Sequence, residues 1–392
     1  MISTGQALEA IFALISPLPV ETVSLRAAVG RVLAKPVAAT RDQPPFAASA
    51  MDGYAVASAT PGDVLRVIGE AQAGARFAGM VKAGEAVRIF TGAPVPEGAS
   101  RIVIQEDVTR AGDQITLGRK LDSSTYIRPA AGDFAVGTTL ESPCRLTPAH
   151  VALLASMNVP DVVVYWRAKV ALISTGDELV MPGETPDEDQ IIASNALGLE
   201  AMLTLAGADV RLLPIARDTE ANLRTVLALA EDADLIVTIG GASVGDHDLV
   251  GKVALADGLD RAFYKVAMRP GKPLMAGRLG DAVLIGLPGN PVSSMVCGRV
   301  FLRPALDAFH GLAAQPAIRQ TLPLAHALPA NGPREHYMRA RIATQDGTRV
   351  LAPFDRQDSA LQTVLAQADA LAIRPPNDPA RAAGETLEWI DI

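Results

Sequence analysis

The sequence predicts a multidomain α/β plus β protein: a three-layer α/β sheet domain, an N-terminal helical platform, a small β domain inserted into that platform, and a C-terminal β-barrel-like domain. Three observations lead there. Beyond Trp166 the chain alternates apolar runs of strand length with helix-periodic segments, the pattern of a mainly parallel sheet with right-handed crossovers. From Met51 to Glu141 it instead strings short β-type runs between glycines and prolines. And 392 residues exceed one hydrophobic core, which asks for roughly two to four domains. The expected boundaries are 1–45 with 142–166 for the platform, 46–141 for the insert, 167–312 for the α/β domain and 317–392 for the C-terminal domain.

Each element has a local reason. Ser3 and Gln6 stand at capping-box spacing ahead of Leu8, Ile11, Phe12 and Ile15, so a first helix is expected to about Ile15. Leu25 to Leu33 reads as a second short helix ending before Pro36. Val64 to Ile68, Ala86 to Phe90, Arg101 to Gln105 and Gln114 to Leu117 read as strands of the insert, and Thr147-Pro148 as the cap and first turn of another helix. In the α/β domain Lys169 to Ser174, Asp209 to Ile215 and Ala233 to Ile239 are strands, with helices over Asn195 to Leu205 and Thr219 to Ala230. Phe263 to Val266, Pro273 to Ala276 and Asp281 to Ile285 complete the sheet. Asn290-Pro291 starts a helix that runs to a disturbance at Pro304, with free N–H groups at its start. The C-terminal segment reads as strands His336 to Ile342, Ala370 to Ile373 and Thr386 to Ile390 around a helical stretch near Ser359 to Ala366. His336 and Arg339 are expected on its surface.

Composition narrows the function. With 49% hydrophobic and 20% charged residues the chain is globular rather than disordered, and a net charge of −8 argues against nucleic acid as the main partner. No apolar run reaches the ~18 residues of a membrane span, so no membrane partner and a cytoplasmic location are expected. Cys144 and Cys297 are far apart and read as apolar fillers. No histidine pair has HExxH spacing, and Gly271-Lys272 is followed by Pro273, so neither a zinc enzyme nor a P-loop nucleotidase is indicated.

The chemistry gathers at strand ends. Ligands of such sheets bind beyond the carboxyl ends of the strands, where Glu178, Asp218, Asp246 and Asp248 all fall. The loop Gly240-Gly241-Ala242-Ser243-Val244-Gly245 can bring backbone close to an anion, although taken alone it reads equally well as a connection with solvated acids. Lys265, Arg269 and Lys272 lie within eight residues of an acidic chain, which suits either anion capture or a solvated basic face. Asp52-Gly53 is most simply a turn, and His247 a spacer.

Six motifs in series carry a resemblance over nearly the whole chain. Ala50 to Ala55, Thr91 to Gly98, Ser174-Thr175-Gly176-Asp177-Glu178-Leu179, Gly240 to Gly245, Pro270-Gly271-Lys272-Pro273 and Gly286 to Ser293 resemble the MoeA family, molybdopterin molybdenumtransferases related to the gephyrin E domain. The resemblance implies a MogA/MoaB-like α/β domain and insertion of molybdate into adenylylated molybdopterin, giving molybdenum cofactor and AMP with Mg2+. It also implies an elongated homodimer whose cleft lies between the α/β domain of one subunit and the β domain of the other. Molybdopterin adenylyltransferase and molybdoenzyme maturation factors follow as partners. Carried over by position, Asp52, Thr91, Asp133, Glu178, Asp218 and Asp248 form the catalytic set, with Asp52, Glu178 and Asp248 toward the metal. Lys265, Arg269 and Lys272 hold phosphates; Gly240, Gly241, Ser243, Gly245, Asn290 and Ser293 cradle phosphate and pterin, and Pro288 and Pro291 shape that cradle. Competing readings are a non-catalytic molybdopterin carrier and a nucleotide pyrophosphohydrolase on a related α/β domain.

Overall fold

The computed structural model describes residues 1–241 and 249–392. Ser3 caps α1 (Thr4–Ala13) through the expected box: its hydroxyl accepts the Gln6 N–H at 3.2 Å, and the Gln6 side chain accepts the Ser3 N–H at 2.9 Å. The apolar stripe of α1 does not join the platform. Ala7, Leu8 and Ile11 are buried with Val170, Leu172, Leu235 and Val237, in the core of the α/β domain.

The stretch Leu25 to Leu33, expected as a helix, is a single 3-10 turn over Leu25–Ala27 followed by a strand. Gly30 at φ +78° ends the turn, and Leu33 finds strand partners on both sides. The chain thus passes from β1 (Val20–Ser24) to β2 (Val32–Leu33) and enters the insert. There β3 (Gly53–Val56), β4 (Val64–Ala71), β5 (Glu85–Ile89), β6 (Arg101–Ile104), β7 (Val108–Ala111) and β8 (Gln114–Leu117) form one sheet in the order β6-β3-β5-β4-β8-β7, with apolar clusters on both faces. The chain returns as β9 (Cys144–Arg145), α2 (Pro148–Ser156) and β10 (Asp161–Tyr165). The segments flanking the insert therefore meet as a sheet, β1-β10-β2-β9, on which α2 packs.

Asp52-Gly53 is not a hairpin turn. Gly53 opens β3, flanked by Ile104 on one side and Ile89 on the other. A Cβ there would stand 2.1 Å from the backbone oxygen of Val103, so glycine is required by the approach of β6. Gly53→Ala is expected to destabilise the insert by about 3 kcal/mol or more, read as a lower denaturant midpoint.

The α/β domain runs β11 (Lys169–Ser174), α3 (Ser194–Leu205), β12 (Asp209–Leu212), α4 (Glu220–Ala228), β13 (Leu235–Ile239), α5 (Leu249–Ala256) and β14 (Asp260–Tyr264). It continues through β15 (Met268–Arg269), β16 (Met275–Leu279), β17 (Ala282–Leu287) and α6 (Pro291–Cys297). The sheet order is β12-β11-β13-β17-β16-β14, the first four strands parallel and the last two antiparallel. Two apolar clusters cover its two faces, which is why β11, β13 and β17 read as unbroken apolar runs. Pro304 does not end the last helix: the backbone stays helical from α6 through a π turn over Gly298–Leu302 into α7 (Arg303–Phe309), and the wider turn lies just ahead of the residue that lacks an N–H.

The C-terminal domain comprises β18 (Gln320–Pro323), β19 (Glu335–Gln345), β20 (Thr348–Pro353), α8 (Gln362–Leu365), β21 (Ala370–Arg374) and β22 (Thr386–Asp391). Its sheet takes β15 of the α/β domain as an edge strand, parallel to β19, with Arg269 opposite His336. That pairing fixes the basic loop against the C-terminal domain. Among the described residues no helix is long and apolar enough to cross a membrane.

Candidate active site

Ser174, Ile239 and Leu287 stand level across the sheet, so the turns after β11, β13 and β17 emerge side by side. The Thr175 N–H donates to the Ile239 carbonyl at 3.0 Å and the Gly240 N–H to the Leu287 carbonyl at 3.1 Å, which ties the three turns together. Gly240 and Gly241 adopt φ +91° and +62°, and a Cβ on Gly240 would lie 2.8 Å from the Thr175 carbonyl oxygen. Only glycine lets these backbones approach so closely. They line a cavity of 690 Å3 together with Glu178, Asp218 and Asn290, and with Pro288 and Pro291. The Glu178 carboxylate lies over Gly176, where a Cβ would be 2.3 Å from Oε2.

A second cavity, of 350 Å3, adjoins the first through Pro273, Pro288 and Asn290. Its cations are Arg269 and Lys272 from the basic loop and Arg334 from the C-terminal domain; Ser293 and Ser359 add hydroxyls. The Arg334 guanidinium donates to the Met268 carbonyl at 3.3 Å, which holds it beside that loop. The Ser359 carbonyl accepts the Val292 N–H at 3.0 Å, and the Asn290 amide donates to its hydroxyl at 3.2 Å. The start of α6, expected to offer free N–H groups, is thus partly satisfied by the C-terminal domain.

His336 and Arg339, expected on the surface, are buried. The Arg339 guanidinium donates to Gln357 Oε1 at 3.2 Å and to the carbonyls of Asp358 and Leu361 at 2.9 and 3.3 Å, shaping the loop that delivers Ser359. Burial, and then Arg269, Arg339, Arg374 and Arg334, push the His336 imidazole down to about 4. Burial, then Arg145, does the same to His310, whose Nε2 accepts the Ala168 N–H at 3.2 Å. Both folded-state values lie below the ordinary 6.5 of the unfolded chain. Between pH 6.5 and pH 4 the unfolded state therefore binds protons that the fold refuses. Stability is full above that window and falls by up to about 3 kcal/mol per histidine as the pH drops through it, which denaturation at pH 7 and pH 4.5 would read out.

In the insert, register places Asp52, just before β3, beside Thr91, just after β5. The Asp52 carboxylate accepts both the N–H and the hydroxyl of Thr91 at 2.8 Å. Those two bonds, backbone first, hold its pKa below the ordinary carboxylate range, and the Arg88 charge adds to them. Asp52, Thr91 and Asp133 line neither cavity. Asp133 is exposed, its N–H bonded to the Gln43 carbonyl at 2.9 Å. Lys265 also stands apart, its ammonium 4.8 Å from the Tyr264 ring centroid. Ser243, Gly245, Asp246, His247 and Asp248 lie outside the described residues. Sequence reasoning missed Arg334 and Ser359, which reach the site only through long-range pairing, and Asn195, whose amide donates to the Gly289 carbonyl at 2.7 Å.

Magnesium can be tested against these donors. Among the described residues no group of three His, Cys, Asp or Glu side chains could hold a metal unaided. The first cavity offers two carboxylates, Glu178 and Asp218, and that all-oxygen set fits a magnesium ion completed by ligand phosphates and water.

Fold and site together define a multidomain α/β protein with two adjoining cavities, one at the carboxyl ends of its parallel strands and one lined by cations. Family models match the chain over residues 2–158 (MoeA N-terminal region, domain I and II), 171–308 (probable molybdopterin binding domain) and 321–392 (MoeA C-terminal region, domain IV). The Mycobacterium tuberculosis H37Rv protein named molybdopterin molybdenumtransferase 2 is 36% identical over 386 residues, 95% of each chain. A Nostoc molybdopterin molybdenumtransferase is 33% identical over 94% of this chain and 87% of its own. The chain belongs to the MoeA family, the molybdopterin molybdenumtransferases. A solved Pyrococcus horikoshii OT3 structure of molybdopterin biosynthesis MoeA protein shares its fold, with a TM-score of 0.83 at 24% identity over the whole of both chains.

Proposed function

We propose that this enzyme of molybdenum cofactor biosynthesis inserts molybdate into adenylylated molybdopterin, yielding molybdenum cofactor and AMP. The observation that supports this most is the pair of adjoining cavities: one floored by glycine backbone and edged by Glu178 and Asp218, the other carrying Arg269, Lys272 and Arg334. The first suits the pterin, its phosphate and the bridging phosphoanhydride, because glycine N–H groups can meet phosphate oxygens closely. The second suits molybdate, an oxyanion that three cations, outnumbering the Asp358 carboxylate in the same lining, neutralise and hydroxyls orient. A magnesium ion held by Glu178 and Asp218 would supply charge neutralisation at the phosphoanhydride. Arg269, Lys272 and Arg334 keep the oxyanion beside the pterin end of the substrate, and Asn290, shared by both cavities, joins the two subsites.

Asp52 and Thr91 enter this scheme as a contribution from the second subunit of a homodimer. Neither is buried, and neither lines the two cavities described above. A cytoplasmic setting, a molybdopterin adenylyltransferase supplying the substrate and maturation factors receiving the cofactor complete the proposal. Purified protein given adenylylated molybdopterin, molybdate and magnesium should release AMP. No AMP above the magnesium-only control would defeat the proposal.

A further inference from the structure

Arg217 falls in none of the motifs above and lines neither cavity, yet it grips the turn that carries Glu178. Its Nη1 donates to the carbonyl oxygens of Gly176 at 3.3 Å, Asp177 at 3.1 Å and Leu179 at 3.0 Å, the residues on both sides of Glu178. The grip is returned. The Asp177 carboxylate accepts the N–H of Asp218 at 3.0 Å, and the Gly176 N–H donates to the Ala216 carbonyl at 3.0 Å. Arg217 is itself held from behind, its N–H bonded to the Asn222 side chain in α4 at 2.7 Å.

We infer that Arg217 is a positioning residue that fixes Glu178 relative to Asp218, so that two carboxylates from separate strand ends present one geometry to the ligand. This rests on the reading of Glu178 as a residue of the reaction. Three carbonyl oxygens converging on one point are a mutually repulsive arrangement that a cation relieves; one guanidinium nitrogen meets all three here, and a lysine, with its shorter side chain and strongly hydrated ammonium, would carry its charge short of that point. The turn needs such help. Gly176 sits at φ +147° with the Glu178 carboxylate folded over it, and beyond it the chain is tied by the two-residue pairing of Leu179–Val180 with Ile191–Ile192, the Glu178 carbonyl accepting the Ile191 N–H at 2.8 Å. A displacement of about 1 Å at a reacting carboxylate is enough to cost roughly 100-fold in rate. Arg217 is exposed and its loss empties no core, so the effect should fall on catalysis and not on folding.

The test compares Arg217→Ala, Arg217→Lys, Glu178→Gln and the double variant Arg217→Ala/Glu178→Gln in AMP release by the full chain, with melting temperature as control. Arg217→Ala should lower kcat about 10- to 100-fold while KM for the pterin stays within roughly threefold. Lysine should restore only part of the loss. In the double variant the arginine change should add nothing to Glu178→Gln, because a carboxylate that is gone cannot be misplaced. Gly176→Ala, whose Cβ would push the carboxylate from the other side, should behave alike and serves should Arg217→Ala not fold. A Glu178→Gln defect beside an unaffected Arg217→Ala, or losses that multiply in the double variant, would overturn this inference alone. Full activity in Glu178→Gln would take the underlying reading down with it.

Discussion

Replacing Glu178 by Gln should lower kcat for AMP release about 100- to 1,000-fold, the cost expected for removing one preorganised charged group from the proposed reacting centre. Asp52→Asn does the same from a domain that shares no cavity wall with Glu178. Neither change should disturb the fold. Glu178 is exposed on its turn, and the Asn oxygen at position 52 can still accept both Thr91 donors. What each removes is negative charge. For Asp52 that charge is secured by two short hydrogen bonds, a stronger arrangement than an exposed turn residue requires. Rapid-quench measurement of AMP, with melting temperatures beside it, separates loss of chemistry from loss of structure.

Arg334→Ala should act on binding instead, raising KM for molybdate about 10- to 100-fold, equivalent to the 1.5–3 kcal/mol of one charged hydrogen bond. Arg269 and Lys272 remain to hold the anion weakly, so kcat should change less than KM. Added salt should deepen the parent enzyme's KM more than the variant's, because the variant has one attraction fewer to screen.

The central sheet was legible because its strands are covered on both faces. Such strands write themselves as unbroken apolar runs, and Lys169–Ser174 has the predicted bounds. The glycines at 240 and 241 were read as room for an anion beside the backbone; what requires them within the chain is the close approach of Thr175, a neighbour from another strand end that the sequence does not announce. What stayed hidden depends on partners distant in sequence. Val32 and Leu33 look helical until strands from beyond position 140 arrive beside them. Arg339 looks like a surface cation until the loop over 357–361 closes around its guanidinium. Arg334 and Ser359 reach the basic cavity only because β15 joins the C-terminal sheet, and two residues of strand leave no periodic signal. The resemblance to the MoeA family carried the candidate residues; within one chain Glu178 and Asp218 line the first cavity, Arg269 and Lys272 the second, Asp52 and Thr91 pair in the insert, and Asp133 and Lys265 stand apart.

Whether those groups complete one another across a dimer is measurable by mixing. Asp52→Asn and Glu178→Gln chains, each almost inactive alone, are unfolded together, refolded at equal amounts and assayed for AMP release. If the cleft draws on both subunits, half of the dimers are mixed and each mixed dimer has one cleft free of lesions, so about a quarter of parental activity returns. Activity no higher than the mean of the two separate variants would contradict a shared cleft.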